Sequence, residues 1–171
     1  MYAHAANGGI KIDKTAHTGV EGLYACGEAT GGMHGADRIG GLSSANGIVF
    51  GRIAGASAAL AAQKEPEAAL KADITLPQYG IAATDAERLT HSLRHTMSTF
   101  CMINRTETGL SEALQQLESL QDEATALNKP HANDSEIAAL ARLQSQIQLA
   151  QEMVKAMRKR TESLGSHYRA D

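Results

Sequence analysis

The sequence predicts an α+β fold that is mainly α, in which short β-strands and one helix precede a three-helix antiparallel bundle. Thirteen of the sixteen glycines lie at or before Gly55, so the first part of the chain is rich in turns. Beyond that part, apolar residues recur at helical spacing. Two of the three prolines, Pro66 and Pro77, lie between the glycine-rich part and the part with helical spacing. We therefore expect an N-terminal domain over residues 1–63, a linker over 64–83 and a helical domain over 84–171.

The N-terminal domain begins with two predicted strands. Gly9–Asp13 alternates apolar and polar residues, Lys14–Glu21 is a polar, hairpin-like connection, and Gly22–Cys26 is predicted to be a short buried strand. Cys26 is expected to be a small apolar filler in that strand. Two strands and one helix are too few for a stable layer, so this domain is expected to be incomplete.

The stretch from Gly22 to Gly55 interleaves glycine with acidic and basic residues, which an ordinary core does not need. A helix is predicted to follow Gly41, with Ser43 or Ser44 as its N-cap. A helix that begins directly after a glycine loop directs its free N–H groups and positive dipole end at whatever the loop holds. The pattern therefore predicts an anion site, with Glu28 placed to accept hydrogen bonds from sugar or ribityl hydroxyls.

Three amphipathic helices are predicted after the linker. The second runs from about Leu110 to Leu127, and the sequence NKPHAND separates it from the third. Asp134 or Ser135 is expected to cap the third helix, and Gly165 to end it. The predicted core positions are Leu89, Leu93, Met97 and Phe100, then Leu110, Leu114, Leu117 and Leu120, then Ile137, Leu140, Leu143, Ile147, Ala150 and Val154.

Composition excludes several classes of protein. The net charge of −3 gives no basic surface for nucleic acid. No apolar run approaches the length of a membrane span, and the N-terminus lacks the features of a secretory signal. Cys26 and Cys101 are far apart, which favours a reducing, cytoplasmic location over a disulfide framework. No metal site is expected, because His91 and His95 lack a third ligand.

Three separated blocks carry a resemblance to a known family. They are His4 with Gly8–Ile10 and Asp13, the segments GLYACGE, HGADRIGG and FGRIAG between residues 22 and 55, and the closing RTESLGSHYRAD from residue 160. In this order they resemble the flavoprotein subunits of fumarate reductase and succinate dehydrogenase and the related L-aspartate oxidases. The resemblance implies that the glycine-rich part is the last piece of an FAD-binding domain and that the helices form the C-terminal helical domain.

The resemblance also implies roles for residues around the flavin. The Gly27-Glu28 pair would bind FAD, with Glu28 on the ribose or ribityl chain. The backbone near Ser43 and Ser44 would face the isoalloxazine ring, and Gly40 would allow close approach of the ligand. The helix that begins there would stabilise negative charge on the reduced flavin at its N1–C2=O edge.

On the substrate side, the resemblance implies a carboxylate clamp. Arg38 matches the position of a bidentate carboxylate ligand, and His4 that of a hydrogen-bond donor. Gly41 would let the substrate approach the backbone. From the residues alone, Arg38 has a second interpretation, as a salt-bridge partner of Asp37. No catalytic residue is assigned within this chain.

Two parts of the family's architecture are absent from the sequence. It has no GxGxxG nucleotide-binding unit and no capping domain. We therefore expect a fragment or split subunit of an FAD-dependent oxidoreductase, inactive alone, whose substrate is fumarate, succinate or L-aspartate. Its expected partners are the missing N-terminal portion, or a separate chain that supplies it, and further copies of itself in a homo-oligomer. The alternative is a non-enzymatic helical interaction module with a vestigial flavin-binding segment.

Overall fold

The computed structural model describes residues 8–64 and 77–171, and the chain divides into two compact units, Met1–Ala72 and Asp73–Asp171. His4, predicted as a substrate ligand, and most of the predicted linker lie outside the described residues. Within the described residues, long helices alternate with strands of two residues each. The predicted α+β, mainly α class is confirmed.

The first unit opens with a pair of very short parallel strands. β1 (Ile10–Lys11) pairs with β2 (Thr30–Gly31), with Ile10 opposite Thr30. The two backbones approach closely, because a Cβ added to Gly31 would lie 2.7 Å from the backbone nitrogen of Gly9. Only glycine allows this approach without a shift of the strands.

A turn at Asp13 organises the segment between these strands. One carboxylate oxygen of Asp13 accepts hydrogen bonds from the hydroxyl of Thr15 at 2.6 Å, from its N–H at 2.8 Å and from the N–H of His17 at 3.0 Å. These bonds, that of the Thr15 hydroxyl first, hold the pKa of Asp13 below its usual range. His17 then forms an antiparallel bridge with Tyr24, so a hairpin-like turn lies between these two residues and is shifted from the predicted connection over Lys14–Glu21.

The predicted buried strand over Gly22–Cys26 is wrong. Only Tyr24 makes a bridge, Leu23 is 50% exposed, and Cys26 is exposed rather than an apolar filler. A strand is buried only where neighbouring strands and a covering layer surround it. Among the described residues of this unit, the segment has only the short stretch around His17 opposite it.

Helix α1 (Leu42–Ala62) is largely uncovered within its unit. Its buried residues are Asn46 and Ala54, whereas Ile48 is 74% exposed. The 21 residues contain a single charge, Arg52, and an 18-residue window reaches a mean hydropathy of 1.2. By length and composition α1 could therefore cross a membrane, so the expectation that no apolar segment reaches that length is wrong. Sequence reasoning missed it because the apolar character comes from alanine and isoleucine dispersed among small polar residues.

In the second unit, three helices pack around one core. They are α2 (Ala83–Phe100), α3 (Glu107–Ala126) and α4 (Asp134–Lys159). The predicted apolar stripes supply most of this core. Its buried members are Ile81, Leu89, Leu93, Cys101, Leu110, Ala113, Leu117, Leu120, Ala124, Leu140, Leu143, Ile147, Ala150 and Val154.

The end of the predicted linker belongs to this core. β3 (Tyr79–Gly80) pairs antiparallel with β5 (Lys129–Pro130), and Ile81 is fully buried. A Cβ on Gly80 would lie 2.5 Å from the side chain of Ala132, so glycine lets the strand lie against the loop before α4.

The N-terminus of α4 carries a capping box. The side chain of Asn133 accepts a hydrogen bond from the N–H of Glu136 at 3.1 Å, and the carboxylate of Glu136 accepts one from the N–H of Asn133 at 3.1 Å. The predicted caps, Asp134 and Ser135, are therefore wrong by one or two residues. Asn133, Asp134 and Ser135 are consecutive and can each cap a helix, and only the fold selects one of them.

The C-terminal residues fold back onto the second unit. α4 ends at Lys159, before the predicted end at Gly165, which instead takes a left-handed φ of 58° in the turn that follows. β6 (Tyr168–Arg169) then pairs in parallel with β4 (Asn104–Arg105). The last residues are thus paired with the segment between α2 and α3.

An ion-pair network fixes this segment at the start of α3. The guanidinium of Arg169 bonds the carboxylate of Asp171 at 2.9 and 3.0 Å and lies 3.4 Å from Glu107. Asp171 in turn accepts a hydrogen bond from the N–H of Glu107 at 2.8 Å. Arg158 bonds the other oxygen of Glu107 at 2.7 Å. Arg158 lowers the pKa of Glu107 and Arg169 lowers that of Asp171, and both carboxylates suit the positive end of the helix dipole.

His167 is held neutral beside this network. Its Nδ1 lies 2.6 Å from a guanidinium nitrogen of Arg105, and its Nε2 lies 2.9 Å from the carbonyl oxygen of Arg160. Because a guanidinium can only donate, Nδ1 must accept and the single ring proton is on Nε2. Burial, followed by the positive charges of Arg105, Arg160 and Arg169, lowers the pKa of His167.

We expect the second unit to lose stability as the pH falls below about 6.5, the ordinary pKa of histidine. In the unfolded chain His167 takes up a proton there, whereas in the folded unit a second ring proton would face Arg105. Chemical unfolding between about pH 7.5 and pH 5 measures this slope.

The control variant is His167→Asn, whose carbonyl can take the place of Nδ1 without titrating. We expect its stability to depend less on pH over the same interval. Glu107 and Asp171 have lowered pKa values in the folded unit, so the stability they contribute is lost only as the pH falls below the ordinary carboxyl pKa of about 4, and His167→Asn retains both groups. Equal slopes in the two proteins would contradict the assignment.

Candidate functional site

The candidate site begins at a 3-10 turn, Gly27–Ala29, that packs against α1. Gly27 takes a left-handed φ of 73°, which reverses the chain between Cys26 and Glu28. The hydroxyl of Thr30, which is 4% exposed, donates to the carbonyl oxygen of Gly27 at 2.6 Å. Glu28 therefore projects from a turn whose backbone is fixed on both sides, and its side chain is exposed.

A buried amide joins this turn to α1. Asn46 lies at the start of the second turn of α1 and is 7% exposed. Its Nδ2 is 3.4 Å from the carbonyl oxygen of Gly27 and 3.4 Å from Nε2 of His34. Its Oδ1 is buried and has no hydrogen-bond partner among the described residues. The 3-10 turn, the glycine loop and the helix thus meet at one side chain.

The N-terminus of α1 is open to a ligand. Gly41 is its N-cap, in the left-handed conformation with φ of 87°, and no described side chain caps this end. The predicted caps, Ser43 and Ser44, are wrong because both lie within the first turn. The N–H of Leu42 donates to the carbonyl oxygen of Ile39 at 3.2 Å, so an anion at this end would be bound by the N–H groups that follow it in the first turn.

Arg38 and Gly40 lie in the loop that leads into α1. Arg38 is half-buried, and its N–H donates to the carboxylate of Asp37 at 2.8 Å. Gly40 is exposed, and a Cβ added there would meet no heavy atom within 4 Å. The loop therefore has room for a ligand over Gly40 and Gly41.

The structure brings some predicted site residues together. The turn with Gly27 and Glu28 lies against α1, whose first turn contains Ser43 and Ser44. His4, the predicted hydrogen-bond donor to the substrate carboxylate, lies outside the described residues. Within residues 8–64 and 77–171, no cluster of three or more His, Cys, Asp or Glu side chains could hold a metal ion.

Sequence reasoning missed Asn46 and Thr30. A single amide in the apolar run between Leu42 and Ala62 was the available signal, because a polar residue among apolar neighbours needs a partner when buried. The partner could not be found from spacing, since Gly27 is 19 residues away.

Two family models match the chain. Residues 1–44 match the FAD binding domain, and residues 90–171 match the fumarate reductase flavoprotein C-term model. The chain belongs to the fumarate reductase and succinate dehydrogenase flavoprotein family, together with the L-aspartate oxidases. The resemblance seen in the sequence is confirmed, and FAD is confirmed as the cofactor of the complete protein.

Curated relatives match almost all of this chain. An FAD-dependent oxidoreductase of Methanocaldococcus jannaschii is 34% identical over 99% of this chain and 32% of its own length. The L-aspartate oxidase of Yersinia pestis is 32% identical, and the fumarate reductase (CoM/CoB) chain of Methanothermobacter marburgensis is 30% identical, with the same coverage. The chain thus spans about a third of the length of these family members.

Solved structures of family members share the fold. Mycobacterium smegmatis Sdh1, in complex with UQ1, aligns with a TM-score of 0.79 at 29% identity, covering 95% of this chain and 29% of that chain. E. coli quinol fumarate reductase aligns with a TM-score of 0.75 at 28% identity, covering 95% of this chain and 30% of that chain.

Gly31→Ala is expected to disrupt the strand pair that holds the 3-10 turn. The new Cβ would lie within 2.8 Å of backbone atoms of Gly8 and Gly9, which cannot move aside as a side chain can. We expect a loss of about 1–3 kcal/mol in the free energy of opening of the amides in β1 and β2, measured by native-state hydrogen exchange.

The matched control is Gly47→Ala on α1, where the added Cβ meets no heavy atom within 4 Å. Alanine also has a higher helix propensity than glycine, so this variant should keep or raise protection. Unchanged protection of β1 and β2 in Gly31→Ala would show that the strands do not need the close approach.

Proposed function

We propose that this chain supplies the C-terminal part of an FAD-dependent oxidoreductase that acts on a small dicarboxylate, fumarate or succinate, or on the amino dicarboxylate L-aspartate. We further propose that it is inactive until joined to the nucleotide-binding and capping portions. The names of its relatives support this reaction class, and their greater length supports the need for a further portion.

The observation that carries the proposal is the joining of the Gly27–Ala29 turn to the start of α1. The carboxylate of Glu28 would accept hydrogen bonds from ribose or ribityl hydroxyls of FAD. The first-turn N–H groups near Ser43 and Ser44 would lie beside the N1–C2=O edge of the ring, where the positive end of the helix favours negative charge. The cofactor itself supplies the hydride chemistry when bound.

The substrate side rests on Arg38. Its guanidinium is suited to bidentate binding of a carboxylate, and Gly40 and Gly41 add no side chain that would block the approach. His4 would contribute a hydrogen bond to the same carboxylate. A clamp of this kind orients the substrate for transfer, but it supplies no proton donor, and this is why we assign no catalytic residue to this chain.

The exposed apolar surface of the first unit supports the need for a partner. On α1, Ile48, Val49 and Leu60 are exposed, and on the preceding segments so are Val20 and Leu23. A surface of this kind is usually covered by protein or lipid. We propose the remaining portion of the flavoprotein as its cover, and without that portion we expect self-association into a homo-oligomer.

A rival function is favoured by one observation. The second unit buries its own core, from Ile81 to Val154, whereas the first leaves most of α1 uncovered. A helical interaction module with a vestigial flavin-binding segment would show the same contrast. Flavin uptake separates the two functions, since a vestigial segment would bind none in any assembly.

The deciding experiment compares the purified chain with the complete flavoprotein assembled from this chain and its remaining portion. We expect stoichiometric flavin absorbance and dicarboxylate turnover only in the assembly. In that assembly, Arg38→Lys should raise the KM for the dicarboxylate by about 10- to 100-fold, because one charge-assisted hydrogen bond is lost. Flavin content should not change.

Arg52→Lys is the matched control, an exposed arginine on α1. It should leave both KM and flavin content as they are. A colourless assembly would refute the proposed function, and an unchanged KM in Arg38→Lys would remove Arg38 from the substrate clamp.

A further inference from the structure

We infer that Asn46 is a positioning residue for the cofactor: it holds the Gly27–Ala29 turn against α1 and so sets Glu28 relative to the start of the helix. This inference rests on the proposed function, because it concerns how the two flavin-binding parts of the site are held together. It assigns a role to a residue that lies inside the helix, behind the residues predicted to face the ligand.

The carbonyl oxygen of Gly27 is the point at which Asn46 acts. It accepts hydrogen bonds from the hydroxyl of Thr30 at 2.6 Å and from the backbone N–H of Thr30, and a longer one from Nδ2 of Asn46 at 3.4 Å. Thr30 therefore holds this oxygen from within the turn, and Asn46 is the donor that reaches it from α1. The peptide between Gly27 and Glu28 is planar, so fixing this carbonyl also fixes the backbone nitrogen and Cα of Glu28.

The amide orientation follows from its neighbours. If Oδ1 of Asn46 faced Gly27, two acceptors would oppose each other, so Nδ2 must face the carbonyl oxygen. The same Nδ2 lies 3.4 Å from Nε2 of His34, which can accept if its ring proton is on Nδ1. One NH₂ group can thus link residues 27, 34 and 46.

Stability alone does not explain this amide. Its Oδ1 is buried without a partner among the described residues, which costs free energy that an apolar side chain of similar size would avoid. Aspartate at this position would offer no donor to Gly27. The site therefore uses the two amide hydrogens of Asn46, and these hydrogens keep the Gly27–Ala29 turn in position.

The test uses the complete flavoprotein. FAD affinity is measured by titration of the apoprotein with flavin, and apoprotein stability by thermal unfolding. For Asn46→Leu we expect about a 10-fold weaker affinity for FAD, equivalent to one lost hydrogen bond, with an apoprotein melting temperature equal to or above that of the unsubstituted protein. Asn128→Leu is the matched control, because Asn128 also has a buried Oδ1 without a partner among the described residues but lies in the second unit.

Two further variants address the same carbonyl. Thr30→Val removes the hydroxyl donor to the carbonyl oxygen of Gly27 but keeps the backbone N–H donor, and should weaken FAD binding, whereas Thr30→Ser keeps a hydroxyl and should restore it. If Asn46 acts through the turn, the effects of Asn46→Leu and Glu28→Gln on affinity should be less than additive in the double variant.

The outcomes are distinct. An assembled flavoprotein that binds no FAD overturns the proposed function and this inference together. FAD binding by the unsubstituted protein with unchanged affinity in Asn46→Leu overturns the inference alone. A lower affinity accompanied by an equal loss of apoprotein stability, or fully additive effects with Glu28→Gln, would likewise reject a positioning role.

Discussion

Helix α1 is 21 residues long, yet only Asn46 and Ala54 are buried by its own unit. A helix of this length and composition gains little from its backbone alone and depends on covering its apolar surface. Among the described residues, the first unit offers two strands of two residues and one 3-10 turn for this purpose. This uncovered surface is the constraint on which the proposal of a further protein portion depends.

Glycine residues allow the candidate site to form although the first unit has few and very short strands. Gly31 allows β1 and β2 to touch, Gly27 reverses the chain before Glu28, and Gly41 starts α1 in a left-handed conformation. At each of these positions the absence of a side chain permits a close approach or a left-handed conformation that other residues would resist. The hydrogen bonds of Thr30 and Asn46 then keep this backbone in one arrangement.

The second unit buries its apolar side chains among its own helices. Apolar side chains of α2, α3 and α4 fill one core, and the polar network around Arg169 ties the last residues to the start of α3. Arginine suits this place because its planar guanidinium can bond Asp171 and approach Glu107 at the same time. Neutral His167 completes the segment without adding a further charge beside Arg105.

The sequence by itself determined the class of fold, the helical stripes and the glycine-rich turns of the first unit, because these follow from local periodicity and backbone freedom. The resemblance carried by three blocks gave the family and its cofactor. Only the tertiary structure decided that Asn133 caps α4, that Ile81 enters the core, that Tyr168–Arg169 pairs with Asn104–Arg105, and that Asn46 reaches Gly27. The physical reason is that caps compete among neighbouring polar residues, and contacts between distant residues depend on how the chain folds back, which spacing along the sequence does not encode.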